Sequence, residues 1–100
     1  MISQKETGIK ERTINEIVEY AQKYEVERVV LFGSRARGDF KQKSDIDLAF
    51  YGGDATKFTL SVDEDTYTLL EFDIVDMSSC KNKELMDSIK RDGKVIYEKI

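Results

Sequence analysis

Residues 33–48 read GSRARGDFKQKSDIDL, and the end of this stretch predicts a strand with two different faces. Asp45 and Asp47 are two positions apart, so on an extended strand both carboxylates leave the same face. Ile46 and Leu48 then leave the opposite face together. The sequence therefore predicts a strand that buries one apolar face and carries two anions on the other.

The two carboxylates and the glycine upstream of them point to phosphate chemistry. Carboxylates this close repel each other unless a cation lies between them, and ligation by oxygen alone suits Mg²⁺ or Mn²⁺. Gly33 and Ser34 follow a short apolar run, where backbone N–H groups and a hydroxyl can approach a phosphate. A phosphate-binding loop beside a divalent-cation site predicts phosphoryl or nucleotidyl transfer.

Length and composition predict one small domain over residues 1–100, because 100 residues with 40% hydrophobic side chains build a single modest core. We expect no membrane association, since no apolar run approaches the ~20 residues that a bilayer requires. The single cysteine, Cys80, cannot form an internal disulfide, and the N-terminus lacks the apolar core of a signal peptide. We therefore expect a cytoplasmic protein. The absence of histidine excludes histidine-based catalytic triads within the chain.

Charge is distributed unevenly along the chain. The formal net charge is −4, which argues against direct nucleic-acid binding. Residues 33–43 are nevertheless predominantly basic, with Asp39 as their one acidic member. We predict that Arg35 and Arg37 bind the phosphates of a nucleotide; the alternative is a solvated basic loop.

Apolar periodicity predicts alternating helices and strands. Helical spacing indicates helices over residues 8–24 and 84–91. Short runs rich in β-branched residues predict strands, which we place at residues 28–32, 45–51 and 69–77. Residues 95–97 form either a final short strand or an apolar segment that fills the core. Residues 54–67 fit either a strand or one face of a helix, and periodicity alone does not decide between them.

The strand predicted at residues 69–77 carries a third carboxylate with the right parity. Leu70, Phe72 and Ile74 alternate along it and are expected to face the core. Asp73 then leaves the opposite face, as Asp45 and its i+2 neighbour do on their strand. We expect the three carboxylates to converge.

These motifs resemble a known family. Gly33-Ser34, a spacer over residues 35–44 and then Asp45-Ile46-Asp47 resemble the signature of the DNA polymerase β-type nucleotidyltransferases. The compact arrangement is similar to that of the minimal nucleotidyltransferases, and Asp73 matches the third carboxylate of that family. The resemblance implies an α/β (α+β) fold with a small mixed β-sheet flanked by helices, and it favours a helix within residues 54–67.

The resemblance also implies roles for the site residues. Asp45 and Asp47 would ligate two Mg²⁺ ions, with Mn²⁺ as a substitute. Asp73 would complete the ion nearest the acceptor and take the acceptor's proton. Gly33 and Ser34 would hold the β- and γ-phosphates of ATP while AMP is transferred.

A partner protein is implied as well. Minimal nucleotidyltransferases resemble one half of a toxin–antitoxin pair, in which the antitoxin adenylylates a tyrosine of a helical HEPN ribonuclease toxin. We therefore expect a hetero-oligomer with such a partner. One rival function is a non-catalytic binding module that neutralises its partner by covering it, and another is nucleotide transfer to a small molecule or an RNA end. The complete carboxylate set favours an enzyme, because a binding module has no need to hold like charges close together.

Overall fold

One mixed sheet organises the part of the chain that the computed structural model describes, residues 4–99. The strands are β1 (Arg28–Phe32), β2 (Ile46–Tyr51), β3 (Phe72–Asp76) and β4 (Lys94–Glu98). Their order across the sheet is β3-β2-β1-β4. β2 pairs in parallel with β3, whereas β1 is antiparallel to both β2 and β4. The predicted mixed sheet is therefore confirmed.

The helices are α1 (Gln4–Thr7), α2 (Glu11–Lys23), α3 (Ser34–Arg37), α4 (Ala55–Asp65) and α5 (Lys83–Asp92). Side chains of α2 and α4 pack on one face of the sheet in the main core, and Ile89 of α5 packs on the other face. Within residues 4–99, no helix is both long and apolar enough to cross a membrane.

The strand that carries the two aspartates has the two faces predicted from its sequence. Ile46, Leu48 and Phe50 are buried in the main core beneath α2 and α4. Ala49 points the other way and packs with Ile89 of α5. Asp47 shares the face of Ala49, because alternate residues of a strand leave the same side.

Residues 54–67, which periodicity left undecided, contain the helix α4. Asp54 caps this helix, since its carboxylate accepts a hydrogen bond from the backbone N–H of Lys57 at 3.1 Å. Phe58 and Val62 are fully buried, and the Phe58 ring lies 5.0 Å from that of Phe50. Packing on β2 therefore selects the helix.

Several predicted boundaries differ from the structure, and the strand predicted from residue 45 begins at Ile46. The helix predicted from residue 8 begins at Glu11, because Gly8 has a φ of +68° and Lys10 is extended. The strand predicted from residue 69 begins at Phe72, and the residues before it form a loop in which Leu69 is fully exposed.

Removing the cap of α4 should destabilise the fold without affecting the aspartates of β2. We expect Asp54→Ala to lower the free energy of unfolding by about 1 kcal/mol, because the N–H of Lys57 loses its acceptor. Asp63→Ala is the matched control: Asp63 is exposed within the same helix, and its loss should change stability by less than about 0.5 kcal/mol. Urea unfolding measures both, and equal losses would contradict the capping role.

Candidate active site

Asp47 lies at the centre of the candidate site because strands flank it on both sides. The register places it opposite Phe32 of β1 and beside Asp73 of β3. Its own side chain is half-buried. Two carboxylate-bearing residues thus occupy neighbouring positions on parallel strands, as the parity of the sequence predicted.

Burial and the carboxylates close to Asp47 raise the pKa of its side chain. Its pKa is raised from 3.8 to about 6, first by desolvation on burial and then by the negative charges of Asp73 and Asp45. Arg37 and Arg35 oppose the shift without cancelling it. Within residues 4–99, none of the three aspartates forms an ion pair that would offset burial and mutual repulsion.

Gly33 leaves the room that the Asp47 carboxylate occupies. Its φ of +76° and ψ of −157° lie in a region that is essentially restricted to glycine. A Cβ at this position would collide with Oδ2 of Asp47, and it would lie 2.9 Å from the Cγ atom. A glycine is therefore required both by the backbone and by the neighbouring carboxylate.

Ser34 opens α3 directly after this glycine. The backbone of α3 closes through hydrogen bonds from Arg37 N to the Gly33 carbonyl at 3.1 Å and from Gly38 N to the Ser34 carbonyl at 2.9 Å. In the described part of the chain, the Ser34 hydroxyl has no hydrogen-bond partner and is only partly buried. It is available to a ligand at this edge of the sheet.

Arg35 does not point toward a ligand site. It is 1% exposed, and its guanidinium donates hydrogen bonds to the carbonyl oxygens of Ser44 (2.9 and 3.0 Å), Gln42 (3.1 Å) and Thr7 (2.9 Å). Burial lowers the pKa of Arg35, and the negative charges of Asp45 and Asp47 partly offset this effect. The contacts contradict the prediction that Arg35 binds a phosphate and give it a role within the protein.

Arg37 is exposed and faces the carboxylates more openly. Its Nε donates to Asp39 at 3.2 Å, and its Nη1 lies 3.5 Å from Asp92 at the end of α5. Sequence reasoning missed Asp92, because nothing local indicates that the end of α5 returns to α3. These partners raise the pKa of Arg37 and hold it at the site.

The carboxylates fit a divalent cation by their chemistry. Within residues 4–99, no three Asp, Glu, His or Cys side chains are assembled as a ligand set around one point. The three aspartates nevertheless offer only oxygen donors, and burial followed by the negative charges of Asp73 and Asp45 raises the pKa of Asp47, an environment that a hard cation would stabilise. The predicted ligation by Asp45, Asp47 and Asp73 stays a prediction.

A cavity of about 680 Å³ lies elsewhere, beside the start of α2 and the loop before β3. Its lining includes Ile9, Thr13, Tyr67 and Leu70, but none of the three aspartates. The candidate site is therefore an open edge of the sheet, where Asp45 and Asp73 are exposed.

Comparison with known sequences agrees with this arrangement. The family model described as Polymerase beta, Nucleotidyltransferase matches residues 15–100. A protein of Methanocaldococcus jannaschii, MJ0604, is provisionally named a protein adenylyltransferase and is 30% identical over 81 residues. That match covers 72% of this chain and 79% of MJ0604.

Solved structures share the fold. A crystal structure of a toxin–antitoxin with AMP-PNP matches with a TM-score of 0.66 at 23% identity. A mutant of the toxin–antitoxin MntA-HpeT matches with a TM-score of 0.65 at 21% identity. Each match covers 86% of this chain and 73% of the other. Together with the family match, these structures confirm the predicted polymerase β-like fold.

A side chain at Gly33 should destabilise the protein more than a side chain at Gly38, at the other end of α3. We expect Gly33→Ala to lower stability by more than about 2 kcal/mol, since it combines a forbidden backbone conformation with a collision against Asp47.

Gly38→Ala is the matched control for this change. Gly38 also has a positive φ, +91°, but a Cβ there would meet nothing within 4 Å. The loss of stability in Gly38→Ala should stay at about 1–2 kcal/mol, the penalty of the left-handed backbone alone. Thermal unfolding compares the two variants, and equal losses would contradict the role of the Asp47 contact.

Mild acid should stabilise the metal-free protein. Because the pKa of Asp47 is raised from 3.8 to about 6, the folded state binds an additional proton between these values. The associated stability is fully present below the unfolded pKa and is lost as the pH rises through the folded pKa. We therefore expect the Tm in EDTA to increase from about pH 7 to about pH 5.

Asp47→Asn removes the titrating group and should flatten this dependence, whereas Asp63→Asn on α4 should preserve it. Glu25 and Asp92 have lowered pKa values, so their contributions to stability are lost only at lower pH. If the Tm of Asp47→Asn depended on pH as strongly as that of the wild type, the group with the raised pKa would not be Asp47.

Proposed function

Because this chain belongs to the polymerase β nucleotidyltransferase family, we propose that it transfers AMP from ATP to a side chain of a partner protein. The observation that carries the proposal is the register that sets Asp47 beside Asp73, with Gly33 against the Asp47 carboxylate. Carboxylates held together beside a side-chain-free backbone suit the phosphates and cations of a nucleotide.

Asp45, Asp47 and Asp73 would hold the divalent cations, which we propose to be two Mg²⁺ ions. When bound, such ions supply positive charge to the phosphates and to the attacking oxygen. The environment of Asp47 supports this assignment, because burial and then the negative charges of Asp73 and Asp45 raise its pKa to about 6.

Three further residues would bind the triphosphate. Gly33 presents backbone without a side chain, and the Ser34 hydroxyl is a free donor within the described residues. Arg37 is exposed, and its ion pair with the exposed Asp39 is a surface interaction that contributes little. Its second partner, Asp92, lies 3.5 Å away and has a side chain that is only 13% exposed. We propose that its guanidinium turns from these partners to a phosphate.

The reaction would proceed by in-line displacement. The hydroxyl oxygen of the acceptor attacks the α-phosphorus, the bond to the bridging oxygen of pyrophosphate breaks, and the proton of the hydroxyl passes to Asp73. Asp73 is exposed beside Asp47, so an incoming hydroxyl can reach it. The residues of the chain contribute mainly by positioning and by charge.

A protein acceptor suits the openness of the site. Asp45 and Asp73 are exposed, so a side chain on another macromolecule can approach them without entering an enclosed pocket. The name of MJ0604 and the toxin–antitoxin neighbours support the same class of acceptor. We propose that the partner is a helical HEPN-type toxin, that a tyrosine is modified, and that this single domain acts as the antitoxin in a hetero-oligomer.

Removing the central carboxylates should abolish transfer while preserving the fold. We expect Asp45→Asn/Asp47→Asn to lower the rate at least about 100-fold, because the site loses the charges that would hold the cations. Stability in EDTA should be unchanged or higher, since like-charge repulsion is relieved. The assay incubates this protein, ATP and Mg²⁺ with a candidate helical partner protein and measures the intact mass of the partner.

Asp63→Asn, on the exposed surface of α4, should transfer AMP as the wild type does. Co-expression in cells then separates enzyme from binding module. Toxicity that returns with the double variant, while the complex can still be isolated, supports the transferase. A partner that is fully neutralised without gaining AMP would overturn the proposal in favour of neutralisation by binding.

A further inference from the structure

A buried guanidinium holds the segment that leads into the candidate site. Arg35 donates to the Ser44 carbonyl from both Nε and Nη2, and Nη2 also reaches the carbonyl oxygens of Gln42 at 3.1 Å and Lys41 at 3.5 Å. Its Nη1 bonds the carbonyl of Thr7 at the end of α1. One side chain thus connects α1, α3 and the segment of residues 41–44.

That segment ends at the residue before Asp45. Within it, the backbone N–H of Lys41 donates to the Ser44 hydroxyl at 2.8 Å, which closes a turn. Phe40 packs against the Arg35 guanidinium, with the ring centroid 4.9 Å from Cζ. The carbonyl that precedes Asp45 is therefore fixed by two charged hydrogen bonds.

The three aspartates differ in how their backbone is held. Asp47 and Asp73 pair directly with each other within the sheet. Asp45 lies outside the ladder, because β2 begins at Ile46. On its C-terminal side Asp45 is held by the hydrogen bond from the N–H of Ile46 to the carbonyl of Glu71 at 2.9 Å. On its N-terminal side its position depends on the segment that Arg35 holds.

We infer that Arg35 is a positioning residue, which acts through Asp45 by fixing the segment of residues 41–44 and thereby sets the divalent-cation affinity of the site. It does so without touching the nucleotide. The inference rests on the proposed function, since it assumes that Asp45 is a cation ligand. Groups that orient metal ligands from outside the ligand set typically change affinity or activity 10–100-fold when they are altered.

Arg35→Lys tests the inference because it keeps the positive charge but loses the planar fork that reaches several carbonyls. Calorimetric titration with Mn²⁺ should show about 10-fold or greater weakening. Arg28→Lys is the matched control at the far end of β1, because Arg28 is exposed and pairs with Glu98. The Arg28→Lys variant should bind Mn²⁺ with the affinity of the wild type.

Steady-state kinetics add a second measurement. At limiting Mn²⁺, kcat of Arg35→Lys should fall, and excess Mn²⁺ should restore it, while KM for ATP at saturating metal stays within about twofold of wild type. A raised KM for ATP with unchanged Mn²⁺ affinity would mean that Arg35 contacts the nucleotide, and it would overturn the inference. A lowered Tm with unchanged Mn²⁺ affinity would reduce Arg35 to a structural role and overturn it as well.

Ser44→Ala covers the case in which Arg35→Lys does not fold. It removes the hydroxyl that closes the turn and leaves the buried guanidinium in place, so it should weaken Mn²⁺ binding in the same direction. Wild-type affinity in Ser44→Ala would then overturn the inference. A wild-type protein that binds Mn²⁺ but transfers no AMP overturns the proposed function alone, because the affinity comparison requires neither ATP nor an acceptor.

Discussion

The parallel pairing of β2 with β3 sets Asp47 directly beside Asp73, and the arrangement of the candidate site depends on this register. A shift of one residue would turn Ile46 and Leu48 out of the main core, where both are fully buried. Burial of each such side chain contributes about 1.5–3 kcal/mol, which outweighs repulsion between two partly solvated carboxylates. The apolar face of β2 therefore enforces the proximity of the charges on its other face.

Residues at the ends of strands need a different kind of support, because the sheet does not continue there. Gly33 follows β1 in a conformation restricted to glycine and leaves space for the Asp47 carboxylate. Asp45 precedes β2 and follows the segment whose carbonyls Arg35 holds. A buried arginine suits this role, because its planar fork satisfies several backbone acceptors at once and its charge lies near the aspartates.

The sequence predicted the strands and the parity of the carboxylates because strand periodicity is local. It did not decide residues 54–67, because short apolar runs fit both periods; the cap at Asp54 and the packing of Phe58 on Phe50 made them helical. It also could not place Arg35, since a basic residue in a loop looks the same whether it faces solvent or backbone. One signal was present: Arg35 and Arg37 are two positions apart, and on a helical turn such residues do not share a face.

Arg37 links the candidate site to α5, on the face of the sheet that this helix partly covers. If it turns toward a phosphate as proposed, it leaves Asp92, which keeps a hydrogen bond to Arg91. Asp92 would therefore retain a positive partner after the exchange, which lowers the cost of freeing Arg37 although the Asp92 side chain is only 13% exposed. In this arrangement Asp92 keeps the Arg37 guanidinium beside the aspartates before the nucleotide binds. The exposed Arg37 is then the side chain that moves, and the buried Arg35 stays fixed.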